Sequence, residues 1–122
     1  MSRVSIIIPI CNGWEFTDTC LLSILECTRI DDINIIVIDN NSIDKTQEVL
    51  DKYSQIFPMT VIRNDRNIGF PESVNLGISC RTNGEDVCLL NNDTIVCQGW
   101  IEGLRRHFDK KDVGIVGACS NK

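Results

Sequence analysis

Three apolar runs in this chain end in clusters of short polar side chains, and those ends are where its chemistry is expected. In the last of them, Val87-Cys88-Leu89-Leu90 runs straight into Asn91-Asn92-Asp93-Thr94. Asp93 offers hard carboxylate oxygens of the kind that Mg2+ or Mn2+ accepts, and Asn91 can add a carbonyl oxygen or hold a water. A magnesium-type site often uses one or two protein carboxylates, with phosphates and waters completing the octahedron. A cation there would neutralise a diphosphate and stabilise it as a leaving group. The same three residues also suit a plain turn. The second run, Ile33 to Ile38, ends in Asp39-Asn40-Asn41-Ser42. An ionised Asp39 only accepts, so it can take an imide N–H of a pyrimidine base or ribose hydroxyls, or it can cap its own turn. The first run, Val4 to Ile8, ends in Pro9-Ile10-Cys11-Asn12-Gly13. Neither the Gly-x-Gly-x-x-Gly fingerprint nor a P-loop stands there, so no glycine turn cradles a pyrophosphate at this helix. A plain strand-to-helix turn is the other reading.

The elements that must position these ends follow from periodicity. The three runs are short and lack period-2 alternation, as strands covered on both faces do. Asn12 is expected to cap a first helix, with Glu15 completing a capping box and Cys20, Leu21, Ile24, Leu25 and Thr28 at helical spacing. Asp44 is expected to cap a second helix, with Gln47 at the third position and a stripe of Val49, Leu50, Tyr53, Ile56 and Phe57. A short third strand spans 59–62. Gly69 frees the backbone after the polar 63–67 loop, and Pro71 fits the first turn of a third helix carrying Phe70, Val74, Gly77 and Ile78. Trp100, Ile101, Leu104 and Phe108 face inward on a fourth helix, and Val113 to Val116 reads as a fifth strand. The βαβαβαβαβ order predicts a Rossmann-like α/β domain, a parallel sheet with helices on both faces and right-handed crossovers. Ligands then bind beyond the carboxyl ends of the strands, where all three polar clusters fall.

Composition narrows the partners. The 122 residues suit one domain, with 43% hydrophobic content. Twelve Lys and Arg stand against seventeen Asp and Glu, for a net charge of −5. Without a basic stripe, nucleic-acid binding is disfavoured. The seven cysteines show no Cys-x-x-Cys spacing, and His107 is the only histidine. They are expected to be buried free thiols in a reducing cytosol, not a zinc site. No run is long enough for a signal peptide or a membrane span, so the chain is expected to be cytoplasmic, with a longer protein peripheral at the inner membrane face.

Four motifs in order, Val4-Ser5-Ile6-Ile7-Ile8-Pro9, then Ile38-Asp39-Asn40-Asn41-Ser42 with Asp44 and Thr46, then Asn67-Ile68-Gly69-Phe70, then Leu89-Leu90-Asn91-Asn92-Asp93-Thr94, resemble family 2 glycosyltransferases of the GT-A fold, the rhamnosyltransferase-like branch above all. The resemblance covers essentially the whole chain. It implies an inverting transferase using a nucleotide-diphosphate sugar, UDP- or dTDP-linked by preference, with Mn2+ or Mg2+. It implies that Pro9, Ile10 and Cys11 line the nucleotide, that Asp39 and Asn41 meet the base side, that Asn67 to Gly69 lie beside the nucleotide, and that Asn92 and Asp93 reach the diphosphate. Asp93, with Asn91, would hold the metal. The DxD motif reads Asn91-Asn92-Asp93, with its final acid kept. The family's catalytic base lies in the second half of the domain, so it and the acceptor site are expected beyond Lys122. Residues 1–122 thus read as the nucleotide-sugar-binding half of a transferase. The alternative is a module that binds a nucleotide sugar or a protein without catalysis. A receiver- or phosphatase-like domain would need Asp39 as nucleophile and a lysine at the fifth strand, which is absent. A half domain would leave a sheet edge or face uncovered, and self-association through it is expected.

Overall fold

In the computed structural model, which describes residues 3–119, the run of β-branched residues at the start builds the central strand β1, Val4–Ile10. Its neighbours are β2, Ile33–Asn40, and β4, Asp86–Leu89, while β3, Met59–Asn64, pairs with the far side of β2. All pairs are parallel, and the order is β3-β2-β1-β4. Between them run helices α1, Trp14–Cys27, α2, Thr46–Ser54, and α3, Phe70–Ser79, with α4, Trp100–Arg105, after β4.

Alternation along the strands divides the core. Ile6, Ile8 and Ile10 with Ile33, Ile35 and Val37 point to one face, where Leu21 and Ile24 of α1, Leu50 and Tyr53 of α2 and Ile101 of α4 cover them. Ile7, Ile36 and Ile38 point to the other, against Leu76 of α3. Helices therefore flank both faces, as the βα alternation requires. On the second face α3 comes close, because Gly77 sits directly on Ile7.

Pro9 does not stop β1, which runs one residue further. Leu90 N–H donates to Ile7 O, so Ile7 turns its polar groups toward β4 and so does Pro9, two residues on. The β1–β4 pairing ends at Ile7↔Leu89, hence the missing proline N–H falls where there is no neighbouring rung. The sheet opens at that point, at the start of the candidate site.

Five expectations need correction. The fourth strand is not covered on both faces: Val87 and Leu89 are 36% and 49% exposed. They share the face of Ile7, but α3 packs over β1 and β2 and leaves this edge strand uncovered. Residues 113–119 form no strand, since Gly114 interrupts the run and Ile115 is 92% exposed. The fourth helix ends at Arg105 and tightens into a 3-10 turn over Arg106–Asp109, which leaves Phe108 exposed instead of inward. Ile56, Phe70 and Ile78 likewise lie exposed at the margins of their stripes. All seven cysteines are free, but only Cys20 is buried; Cys27 and Cys88 are half-buried, and Cys11, Cys80, Cys97 and Cys119 are exposed.

Candidate nucleotide-sugar site

The carboxyl ends of β1, β2 and β4 meet at one residue, Asn12. It holds a left-handed backbone, φ 61°, which asparagine tolerates better than most side chains. It is not the helix cap: Gly13 takes that position, and no side chain caps α1. The Asn12 side chain instead accepts from Ile43 N–H at 2.8 Å, while its own N–H donates to Ser42 Oγ at 2.8 Å. These two bonds lock the loop after β1 to the loop after β2. The amide nitrogen of Asn92 donates to Thr17 Oγ1 at 3.1 Å and, more weakly, to Asn12 O at 3.5 Å, which brings in the end of β4. Asp44 adds to the lock, accepting from Trp14 N–H at 3.3 Å and from Thr46 N–H at 2.9 Å. It bonds the first turn of α2 as expected of a cap, though the helix itself begins two residues later.

Asp39 is only 1% exposed at the end of β2. Its Oδ1 accepts from Ser42 N–H at 3.0 Å, which closes the Asn40-Asn41-Ser42 turn. Its Oδ2 accepts from Arg63 at 2.7 Å, and Arg63 also donates to Ser42 O at 2.9 Å. Arg63 stands beside Asp39 because the two are register partners at the ends of β3 and β2. A buried carboxylate without such a cation would be costly. Asn41 is exposed with φ 60°, its side chain 3.5 Å from Arg63.

A second network holds the loop before α3. Asn64 donates to Asn40 Oδ1 at 2.9 Å, Asn40 donates to Ser73 Oγ at 2.8 Å, and Ser73 donates to Gly69 O at 2.6 Å. Asn67 Oδ1 accepts from Gly69 N–H at 2.9 Å. Gly69 has φ 82° with open space where a Cβ would stand, so its conformation, not crowding, calls for glycine. Asn67 and Gly69 are thus fixed to β2 and β3, while the other candidates cluster on β1, β2 and β4.

Asp93 is exposed in the turn after β4, and among the described residues its carboxylate makes no hydrogen bond or ion pair. Asn91 O accepts from Thr94 Oγ1 at 2.8 Å, which tightens the turn, and Asn91 itself is exposed. No group of three or more His, Cys, Asp or Glu that could hold a metal occurs among the described residues. The donor set that remains, one free carboxylate and one amide oxygen, fits a hard cation that takes its other ligands from phosphate and water. It does not fit zinc. Pro9 is half-buried, Ile10 is buried, and Cys11 is exposed at the end of β1.

Asn12, Thr17, Asn40, Ser42, Arg63 and Ser73 were absent from the sequence-derived site. Arg63 could have been found, because a strand that ends in an arginine beside one that ends in an aspartate signals a pair. The others are small polar residues whose partners lie about 30 or more positions away. A pocket of about 450 Å3 beside Glu26, Arg29, Gln98 and Glu102 lies away from these loops, at the far end of α1. It lacks the convergent strand ends, so the site is assigned by its chemistry and not by cavity size.

The sequence model of glycosyl transferase family 2 matches residues 5–121. The chain belongs to glycosyltransferase family 2. Family relatives include glycosyltransferase GlyG of Streptococcus pneumoniae, 30% identical over 114 residues, covering 93% of this chain and 37% of that protein. A Haemophilus influenzae glycosyltransferase is 31% identical over 110 residues, covering 89% of this chain and 33% of its own length. The chain thus spans about a third of these relatives. Among solved structures, a Pyrobaculum calidifontis mannosyltransferase in complex with GDP-Man and Mn2+ superimposes with a TM-score of 0.82 at 21% identity, over 92% of this chain and 34% of that one. Residues 1–349 of S. aureus TarS in complex with UDP-GlcNAc give 0.78 at 21% identity, over 88% and 31%. At that identity the likeness establishes the fold, and the fold is GT-A. No helix among the described residues is long and apolar enough to cross a membrane.

Proposed function

We propose that residues 1–122 form the donor-binding half of a family 2 glycosyltransferase, which holds a nucleotide-diphosphate sugar for inverting transfer to an acceptor hydroxyl. The observation that carries this reading is the three-way lock at Asn12, which gathers the ends of β1, β2 and β4 around an exposed, unengaged Asp93. In this reading Pro9, Ile10 and Cys11 form the floor under the nucleoside, and Asp39 and Asn41 line the base side. Arg63 holds the Asp39 carboxylate in place, so any lone pair it offers the base or ribose has a set direction. A UDP- or dTDP-sugar suits an acceptor on the base side, because both bases carry an imide N–H. Asn67 and Gly69 border the nucleotide from the β3 side. Asp93, with Asn91, holds Mn2+ or Mg2+, which would offset the charge of the diphosphate leaving group. The base that takes the acceptor's proton lies outside the residues gathered here.

The GT-A neighbours support the donor class, since those solved with ligands include complexes with GDP-Man and with UDP-GlcNAc. The test is calorimetric titration of the full chain with UDP, with and without Mn2+, alongside Asp93→Ala. Metal-enhanced binding that Asp93→Ala abolishes supports the proposal. Equal heats with and without metal, unchanged in the variant, would remove the cation site from it.

A further inference from the structure

The turn that carries Asp93 has no backbone ladder of its own. Residues 90–99 form neither helix nor strand, yet they follow α1 closely. Their attachments come from α1, at regular spacing. Thr17 Oγ1 accepts from Asn92 at 3.1 Å. Cys20 Sγ stands 3.7 Å from Thr94 Oγ1, and its thiol donates weakly to Asn91 O at 3.9 Å. Ser23 Oγ accepts from Val96 N–H at 3.0 Å and donates to Cys20 O. Glu26 O accepts from Gln98 at 3.1 Å, one further step along the helix.

Thr17, Cys20 and Ser23 lie at i, i+3 and i+6, one stripe of α1 rising about 9 Å. The opposing stretch from Asn92 to Val96 can reach at most about 13 Å when extended, so the two run side by side in register. All three side chains are buried, and buried small polar groups demand partners, which the segment after β4 supplies. An all-apolar stripe would pack α1 equally well on the sheet. What it would not do is fix the segment after β4.

We propose that Thr17, Cys20 and Ser23 are positioning residues for the cation turn, a polar ladder on α1 that holds Asn91 to Asp93 ready before ligand arrives. The inference rests on the reading of Asp93 as the cation ligand. Without the ladder, ordering of the turn is charged against metal binding, while nucleoside contacts at β1 and β2 are untouched. Supporting groups behind metal ligands typically matter by 10- to 100-fold in affinity, and here the lower end, about tenfold, is expected.

The test measures UDP affinity of the full chain with Mn2+ and again in chelator, for Thr17→Val, Thr17→Ser, Ser23→Ala and Asp93→Asn. Thr17→Val should weaken Mn2+-dependent UDP binding about tenfold, weaken metal-free UDP binding far less, and be rescued by Thr17→Ser. Ser23→Ala should move in the same direction, and decides the matter should Thr17→Val not fold. Equal losses with and without metal would reveal a general structural defect and overturn the ladder. Wild-type binding in Thr17→Val and Ser23→Ala, with Asp93→Asn impaired, would overturn the ladder alone. Wild-type binding in Asp93→Asn would bring down the cation reading and the ladder with it.

Discussion

Gly77 is where α3 meets the sheet, and an added methyl there has a calculable consequence. A Cβ at this position would stand 2.5 Å from Ile7 Cγ2 and 3.3 Å from both Cγ1 and Cδ1. Carbon atoms prefer about 3.5–4.0 Å, so one partner must retreat by about 1 Å. Ile7 cannot, because it is fully buried among Ile36 and Ile38, and its Cγ2 is a branch methyl with no free rotation to spare. Overpacking of this kind costs about 1–3 kcal/mol. Replacing a mid-helix glycine by alanine returns up to about 1 kcal/mol. Gly77→Ala should therefore destabilise by about 1–2 kcal/mol, a fall of about 3–8 °C in thermal midpoint for a chain this size. Gly103 provides the internal control: it lies in α4 with nothing within 4 Å of its Cβ position, so Gly103→Ala should stabilise slightly. Urea unfolding of both variants is the assay, with Ile7→Ala and the double variant completing a cycle. In the Ile7→Ala background the Gly77→Ala cost should vanish. An unchanged or raised midpoint for Gly77→Ala alone would refute the close-approach argument.

Other consequences follow from the site. Arg63→Met leaves the buried Asp39 carboxylate without its cation; since Arg63 is itself partly exposed, a loss of about 2 kcal/mol is expected in urea unfolding. Asn12→Gly keeps the left-handed backbone and removes only the bond to Ile43 N–H, whereas Asn12→Ala also strains the backbone, so the alanine variant should melt lower than the glycine one. Stability should decline in alkali. Burial lifts the Cys88 thiol from 9.0 to about 11, and burial with the Asp18 hydrogen bond lifts Tyr53 from 10.0 to about 12. Groups raised in the folded state favour folding below their unfolded values and lose that contribution as pH rises through the folded ones, here between about pH 9 and 12. Tyr53→Phe should flatten the upper part of that decline. At the acid end, the Lys52 hydrogen bond holds Asp18 below its usual value of 3.8, so its contribution fades as pH falls below about 4, and Asp18→Asn should blunt that loss.

Much of this was legible in the sequence where residues act locally. The β-branched runs of β1 and β2, the proline at the start of α3 and the polar strand ends marked the alternation and the end of the sheet where the polar clusters gather. Coverage of β4 was not legible, because an edge strand and a central strand can carry the same apolar run, and only the lateral extent of α3 tells them apart. The 113–116 run is interrupted by Gly114 and finds no strand partner among the described residues, and that lack of pairing is what a local pattern does not reveal. At the site, Asp39 and Asp93 stood out by type and position. Asn12 looked like a helix cap, since capping and loop-to-loop bonding use the same side chain. The α1 contacts to residues 92–96 were hidden, because Thr17 and Ser23 carry no pattern of their own and Cys20 reads as part of the apolar stripe.

Paramagnetic broadening of backbone amide signals by Mn2+, added in the presence of UDP, tests the central claim most directly. The account predicts loss of signal first at Asn91 to Thr94, then at Asn12, Gly13 and the 40–42 turn, with all of it abolished in Asp93→Ala. Broadening centred on Glu26 and Glu102 instead, or none at the strand ends, would contradict it.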